Sequence, residues 1–127
     1  MLNVLPRISG FFIAPHLKVS YSVAVELADI AFVNGLKIRR EVSTQPKEAG
    51  RRSLAIGDGG LRIRLERLHD HIDLCISKDG TTSDLVRDIV DMRDPLRLIR
   101  TTVSEYQRPR RSWWAVVPSD QYQFTQF

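Results

Sequence analysis

A chain of 127 residues and 14.6 kDa holds one compact domain and is short for two. Its 43% hydrophobic and 27% charged residues are ordinary globular usage, and a single cysteine excludes an internal disulfide or a four-cysteine zinc site. The net charge of +4 is uneven, with +3 on residues 1–60, −2 on residues 61–94 and +3 on residues 95–127.

The first acidic residue is Glu26. Pro6 and Pro15 interrupt any amphipathic helix before it, so residues 1–19 read as an extended N-terminal arm. Phe11, Phe12 and Ile13 of that arm are expected to cover part of the core. The same apolar stretch is too short for a secretory core segment, and cytoplasmic residence is the default expectation. Residues 20–34 predict a helix. Tyr21, Ala24, Ala28 and Ala31 recur at helical spacing, Val23, Leu27 and Ile30 widen the apolar face, and Glu26 and Asp29 are left for water. Ser20 or Ser22 can cap its start, and Asn34-Gly35 supplies a left-handed stop.

After Gly35 the hydrophobic period drops from 3.6 to 2. Leu36, Ile38 and Val42 alternate with Lys37, Arg39 and Glu41, and a short strand follows near residues 53–56 beyond a polar loop. Leu61, Ile63 and Leu65 then alternate with Arg62, Arg64 and Glu66, and Ile72, Leu74 and Ile76 with His71, Asp73 and Cys75. Four-residue turns at 57–60 and 67–70 would set Leu54 opposite Ile63 and Ile63 opposite Leu74, with Arg64 facing Asp73 and Glu66 facing His71. The product is an antiparallel four-strand meander with one apolar and one polar face. Lys78-Asp79-Gly80 turns the chain into a second helix carrying Leu85, Val86, Ile89 and Met92 on its inner side. Asp94-Pro95 opens a third, with Leu96, Ile99, Val103 and Tyr106 inward. Residues 108–111 are expected to break that helix and residues 112–117 to add an edge strand. The fold class is thus a two-layer, single-domain α+β protein: an arm over 1–19, a core over 20–107 and an Arg/Trp-rich C-terminal segment over 108–127.

Several side-chain groups invite chemistry. His69, His71, Asp73 and Cys75 recur at every second position, and the first three are the weak candidates for a metal. Arg62 and Arg64 across the strand oppose a bound cation, and charge pairing on a solvated face is the expected use of these residues. Cys75 and His71 are four apart on a strand, about 13 Å at the backbone, too far for a nucleophile and its base. Gly57-Asp58-Gly59-Gly60 lacks the Lys-Ser/Thr of a phosphate loop and is followed by a strand, which makes it a hairpin turn. The polar face has no aromatic residue on which a base could stack. Arg108, Arg110 and Arg111 beside Trp113 and Trp114 form the better basic-aromatic cluster.

The helix followed by Gly35-Leu36, the alternating meander and the capped helix expected after Asp79-Gly80 resemble, over about residues 20–93, small bacterial immunity-type α+β proteins. That resemblance implies a compact domain that binds and blocks a protein partner. The expectation is therefore a non-enzymatic interaction protein without cofactor. Its candidate binding residues are Arg39, Arg62, Arg64, Arg108, Arg110, Arg111, Trp113 and Trp114. Their arginines suit an acidic protein partner. The alternative is a nucleic-acid-associated protein using the C-terminal cluster, and a metal-dependent enzyme on His69, His71 and Asp73 stands third. A membrane partner is not expected, because no apolar run approaches the roughly 20 residues of a span. Homo-oligomer contacts would run through the C-terminal segment.

Overall fold

The structure, a computed structural model, describes the backbone of residues 4–116 and side chains as far as residue 107. In chain order it runs α1 (Val4–Leu17), α2 (Tyr21–Val33), β1 (Lys37–Val42), a 3-10 turn (Pro46–Glu48), β2 (Arg52–Gly57), β3 (Leu61–Arg67), β4 (Ile72–Lys78), β5 (Thr81–Ile89) and α3 (Arg93–Val116). The strands make one antiparallel sheet in the order β1-β2-β3-β4-β5. The α+β class holds, with five strands in place of four. Leu54, Ile56, Leu61, Ile63, Leu65, Leu74 and Ile76 are wholly buried against Leu17 of α1, Leu27 of α2 and Ile99 of α3. The three helices thus lie on the apolar face, and among the described residues the polar face is left open.

α2 forms where its periodicity places it. The Ser20 hydroxyl accepts from the Val23 amide at 3.2 Å, satisfying one of the first-turn donors. Gly35, at φ +67°, ends the helix, and the Leu36 amide returns to the Ala31 carbonyl at 2.8 Å. Residues 4–17, expected as an extended arm, are instead the helix α1. Pro6 sits in its first turn, where a proline costs little, and Pro15 near its last. The stop after α1 is Lys18 at φ +56°, with the Val19 amide returning to the Ala14 carbonyl at 3.1 Å. A lysine in that conformation gives no signal in the sequence. α1 and α2 approach closely at Gly10, where a Cβ would stand 2.7 Å from Val25 Cγ2. Ile13 of α1 is buried as expected, whereas Phe11 and Phe12 are exposed.

The meander keeps its expected parity but shifts its register by two. Leu54 faces Leu65, Ile56 faces Ile63, and Ile63 faces Ile76. Both turns are tighter than four residues. The Asp58 amide donates to the Leu61 carbonyl and the Leu68 amide to the His71 carbonyl, each at 2.9 Å, which leaves only Gly59-Gly60 and His69-Asp70 as loops. The Asp58 carboxylate also accepts from the Gly60 and Leu61 amides at 2.8 Å. A shift of two preserves every side chain's face, which is why the apolar pattern alone does not distinguish the two registers.

The expected second helix is the strand β5. Asp79 and Gly80 take φ +50° and +85° and form a two-residue hairpin turn that pairs Lys78 with Thr81 at once. The helical spacing of Val86 and Ile89 arises from a bulge: Leu74 faces Val86 and Ile72 faces Ile89, so β5 spends one extra residue there, with Asp88 at φ +60°. α3 begins at Arg93, with Asp94 and Pro95 in its first turn and Leu96, Ile99 and Val103 buried. It runs through Pro109 to Val116, so neither the break at 108–111 nor the edge strand at 112–117 forms over the described residues. Proline's fixed φ is itself helical, and its cost there is one backbone donor. The boundary expected at residue 108 therefore falls inside α3.

Candidate interaction surface

The open face of the sheet gathers charge around one carboxylate. Glu41 on β1 receives Arg39 Nη2 at 3.2 Å, Arg62 Nη2 at 3.7 Å and Arg64 Nε at 3.8 Å. Ser53 on β2 links the set, donating its hydroxyl towards Glu41 at 3.5 Å and accepting from Arg64 at 3.4 Å. Adjacent to this, Arg51 reaches Glu66 at 3.4 Å and Glu48 at 3.7 Å. The face meets these residues because β1, β2 and β3 run side by side with Arg39, Ala55 and Arg64 in one row. Three guanidinium groups share one carboxylate, so this corner keeps a local excess of positive charge. Of the expected binding residues, the structure brings Arg39, Arg62 and Arg64 together. The side chains of Arg108, Arg110, Arg111, Trp113 and Trp114 lie outside the described residues.

The cross-strand partners differ from those expected. Arg64 faces Cys75, and Glu66 faces Asp73. His71 stands among aspartates instead: Nδ1 is 2.7 Å from Asp70, and Nε2 is 3.5 Å from Asp88 and 3.6 Å from Asp73. The hydrogen bond to Asp70 is the main reason the His71 pKa is raised above the ordinary 6.5, and the charges of Asp88, Asp70 and Asp73 add to it. The same bond holds the Asp70 carboxyl below its ordinary 3.8. His69 lies exposed in the two-residue turn. Among the described residues no three His, Cys, Asp or Glu side chains are grouped to hold a metal ion.

Cys75 is a free, half-buried thiol on the open face, opposite Arg64 and Leu85. His16 lies on the other side of the sheet, buried in α1, with Nε2 2.8 Å from the Ser53 carbonyl. Since a carbonyl only accepts, that nitrogen carries the proton. The two therefore do not form a nucleophile and base. No buried side-chain polar atom lacks a partner among the described residues.

Sequence reasoning missed the arginines on the apolar-face parity. Arg67, expected in a turn, ends β3 and donates through Nε to the Leu17 carbonyl at 2.7 Å and through Nη2 to the Lys18 carbonyl at 2.9 Å. It closes the C-terminus of α1, where free carbonyls and the helix dipole favour a cation. Arg40 lies over the Phe12 ring at 5.2 Å, and Arg52 reaches the Pro15 carbonyl at 3.4 Å. The signal was their parity with Ile38, Leu54 and Leu65, which directs these side chains to the helical side. Comparison with known proteins finds no matching family, no matching curated protein and no matching solved structure. Among the described residues no helix is long and apolar enough to cross a membrane.

Proposed function

We propose that this chain is a small, non-enzymatic protein-interaction domain of the immunity or inhibitor-like kind, which receives an acidic protein partner on its open sheet face. The observation that carries the reading is the convergence of Arg39, Arg62 and Arg64 on the single carboxylate of Glu41, on a face that none of the described helices covers. An incoming carboxylate there completes charge pairing that the chain itself leaves incomplete, and arginine's planar fork suits such a group. Steering by the basic corner raises the encounter rate, and a like-charged protein is rejected.

The products of the genes adjacent to this one are the partners to test, co-expressed with the tagged chain. One acidic product is expected to be retained by the wild type, to be toxic when expressed alone and to be neutralised by the chain. Retention by the Arg39→Glu/Arg62→Glu variant is expected to fall about tenfold or more, as for charges at the centre of an interface. Retention of no adjacent product, or equal retention by wild type and variant, overturns the reading.

A further inference from the structure

A second surface, on the opposite side of the molecule from the basic corner, has no role in that reading. Val4, Leu5, Ile8, Phe11 and Phe12 of α1 are all about half exposed or more, Phe11 most at 66%. Together they present on the order of 500 Å² of apolar surface, near the upper end of the largest patch on a typical monomer. A helix that is apolar on all sides is expected to be covered on all sides. The inner side of α1, with Pro6, Gly10, Ile13 and Leu17, is covered by its own domain. Among the described residues the outer side is left open, apart from the edge where the Phe11 ring meets Tyr21 of α2 at 4.9 Å.

The charge around this stripe identifies its cover. At about 100° per residue, Val4, Ile8, Phe11 and Pro15 run down the middle of the outer side, with Arg7 along one margin and Phe12 and Leu5 along the other, and the exposed Lys18 follows the last turn. Arg40 sits on Phe12 and so adds a cation to that second margin. Arg52, bonded to the Pro15 carbonyl, stands at the C-terminal end of the helix. Residues 4–25 carry no acidic side chain, and of the two acids of α2, Glu26 pairs with Arg100 of α3 while Asp29 is exposed. An apolar ridge bordered on both sides by cations is convex, whereas a partner helix is taken into a groove. A second copy laid face to face would bring the two cationic borders together. A flat surface with an apolar interior and anionic groups at the matching height fits both features.

We infer that α1 is a peripheral membrane-binding element that lays its outer side on a bilayer containing anionic lipid. Phe11, Phe12, Ile8 and Leu5 enter the boundary between headgroups and acyl chains, and Arg7, Lys18 and Arg40 pair with headgroup phosphates. The rest of the domain supplies the polar side that an isolated interfacial helix would need. This inference does not rest on the sheet-face reading.

Flotation of the full chain with vesicles of phosphatidylglycerol and phosphatidylcholine, against phosphatidylcholine alone, tests it. The wild type is expected to float with the anionic vesicles, to remain behind with the neutral ones, and to be released as salt rises. Binding by Phe11→Ser/Phe12→Ser and by Arg7→Glu/Arg40→Glu is expected to drop about tenfold or more. Circular dichroism is expected to show both variants folded, since the four side chains are exposed. The sheet-face variant Arg39→Glu/Arg62→Glu is expected to float with more than half the wild-type efficiency, which separates this inference from the previous one. Absence of binding to anionic vesicles at low salt overturns it, as does binding unchanged by both α1 variants. Equal binding to neutral vesicles, or concentration-dependent dimerisation that buries α1 without vesicle binding, overturns it as well.

Discussion

At the scale of single residues, strand parity decides what an arginine is worth. Arg67 and Arg39 are both strand arginines, but Arg67 is half-buried and donates to two carbonyls at the end of α1, whereas Arg39 is 72% exposed and pairs only with Glu41. Arg67→Ala leaves the Leu17 and Lys18 carbonyls without their donor and is expected to cost about 2 kcal/mol in urea unfolding, the usual value of charged hydrogen bonds. Arg39→Ala is expected to change stability by less than about 0.5 kcal/mol, as solvated pairs do. His71 is a pH-dependent contributor. Its pKa is raised in the folded state, so its contribution is complete below the ordinary value of 6.5 and disappears as pH rises through the folded value. Asp70 has the opposite sign: its pKa is lowered, and its contribution is lost as pH falls through the folded value, below the ordinary 3.8. The pair therefore stabilises most between those two limits. Thermal melts are expected to show a loss as pH rises above 6.5 that His71→Gln reduces, and an NMR titration of His71 is expected to give a midpoint above 6.5. A midpoint at or below the ordinary value would remove the aspartate cluster as the cause.

Elements were legible where a single period governed them. Leu61, Ile63 and Leu65 against Arg62, Arg64 and Glu66 revealed β3, its buried face and the charged corner of the open one, because strand alternation and burial coincide there. β5 was not legible as a strand, because its bulge places Val86 and Ile89 three apart on one face and so imitates a helix. α1 was hidden by Pro6, which lies in the first turn where proline is tolerated, by Pro15, which lies inside the helix and costs it a backbone donor, and by the left-handed Lys18 that stops it. The register error came from the turns, whose tightness depends on backbone contacts that composition does not encode. Gly57 is one such contact: a Cβ there would collide with the Leu61 carbonyl oxygen, while at Gly59 it would meet open space. Gly57→Ala must displace backbone within the β2–β3 hairpin and is expected to cost about 2 kcal/mol or more, in the range of overpacked sites. Gly59→Ala is expected to be close to neutral by the same equilibrium measurement. Equal effects would show that hairpin geometry, rather than the loss of a glycine, had been misassigned.

For the molecule as a whole, the question is whether α1 is an appendage or a structural member, and the two alternatives differ in the unfolding they imply. An extended arm can be removed at small cost. As a helix, α1 inserts Ile13 and Leu17 into the core cluster, the latter fully buried, and ties His16 to the Ser53 carbonyl on β2. Burial of two such aliphatic side chains stabilises by about 3–6 kcal/mol, and a domain of this size has a net stability of only about 5–15 kcal/mol. Removing the helix also leaves Leu27 of α2 and Leu54 of β2 with less cover and deprives Arg67 of two of its three carbonyl acceptors. The losses fall on one contiguous core and are therefore expected to act together. Deletion of residues 1–18 is expected to abolish the cooperative thermal transition seen by circular dichroism, and Leu17→Ala alone to cost about 3 kcal/mol, as large-to-small core changes do. If the shortened chain instead melts cooperatively within a few degrees of the full one, α1 is dispensable to the fold. Its apolar outer side would then have no rigid platform to present it, so the stability of α1 on the sheet and its availability to a surface stand on the same contacts.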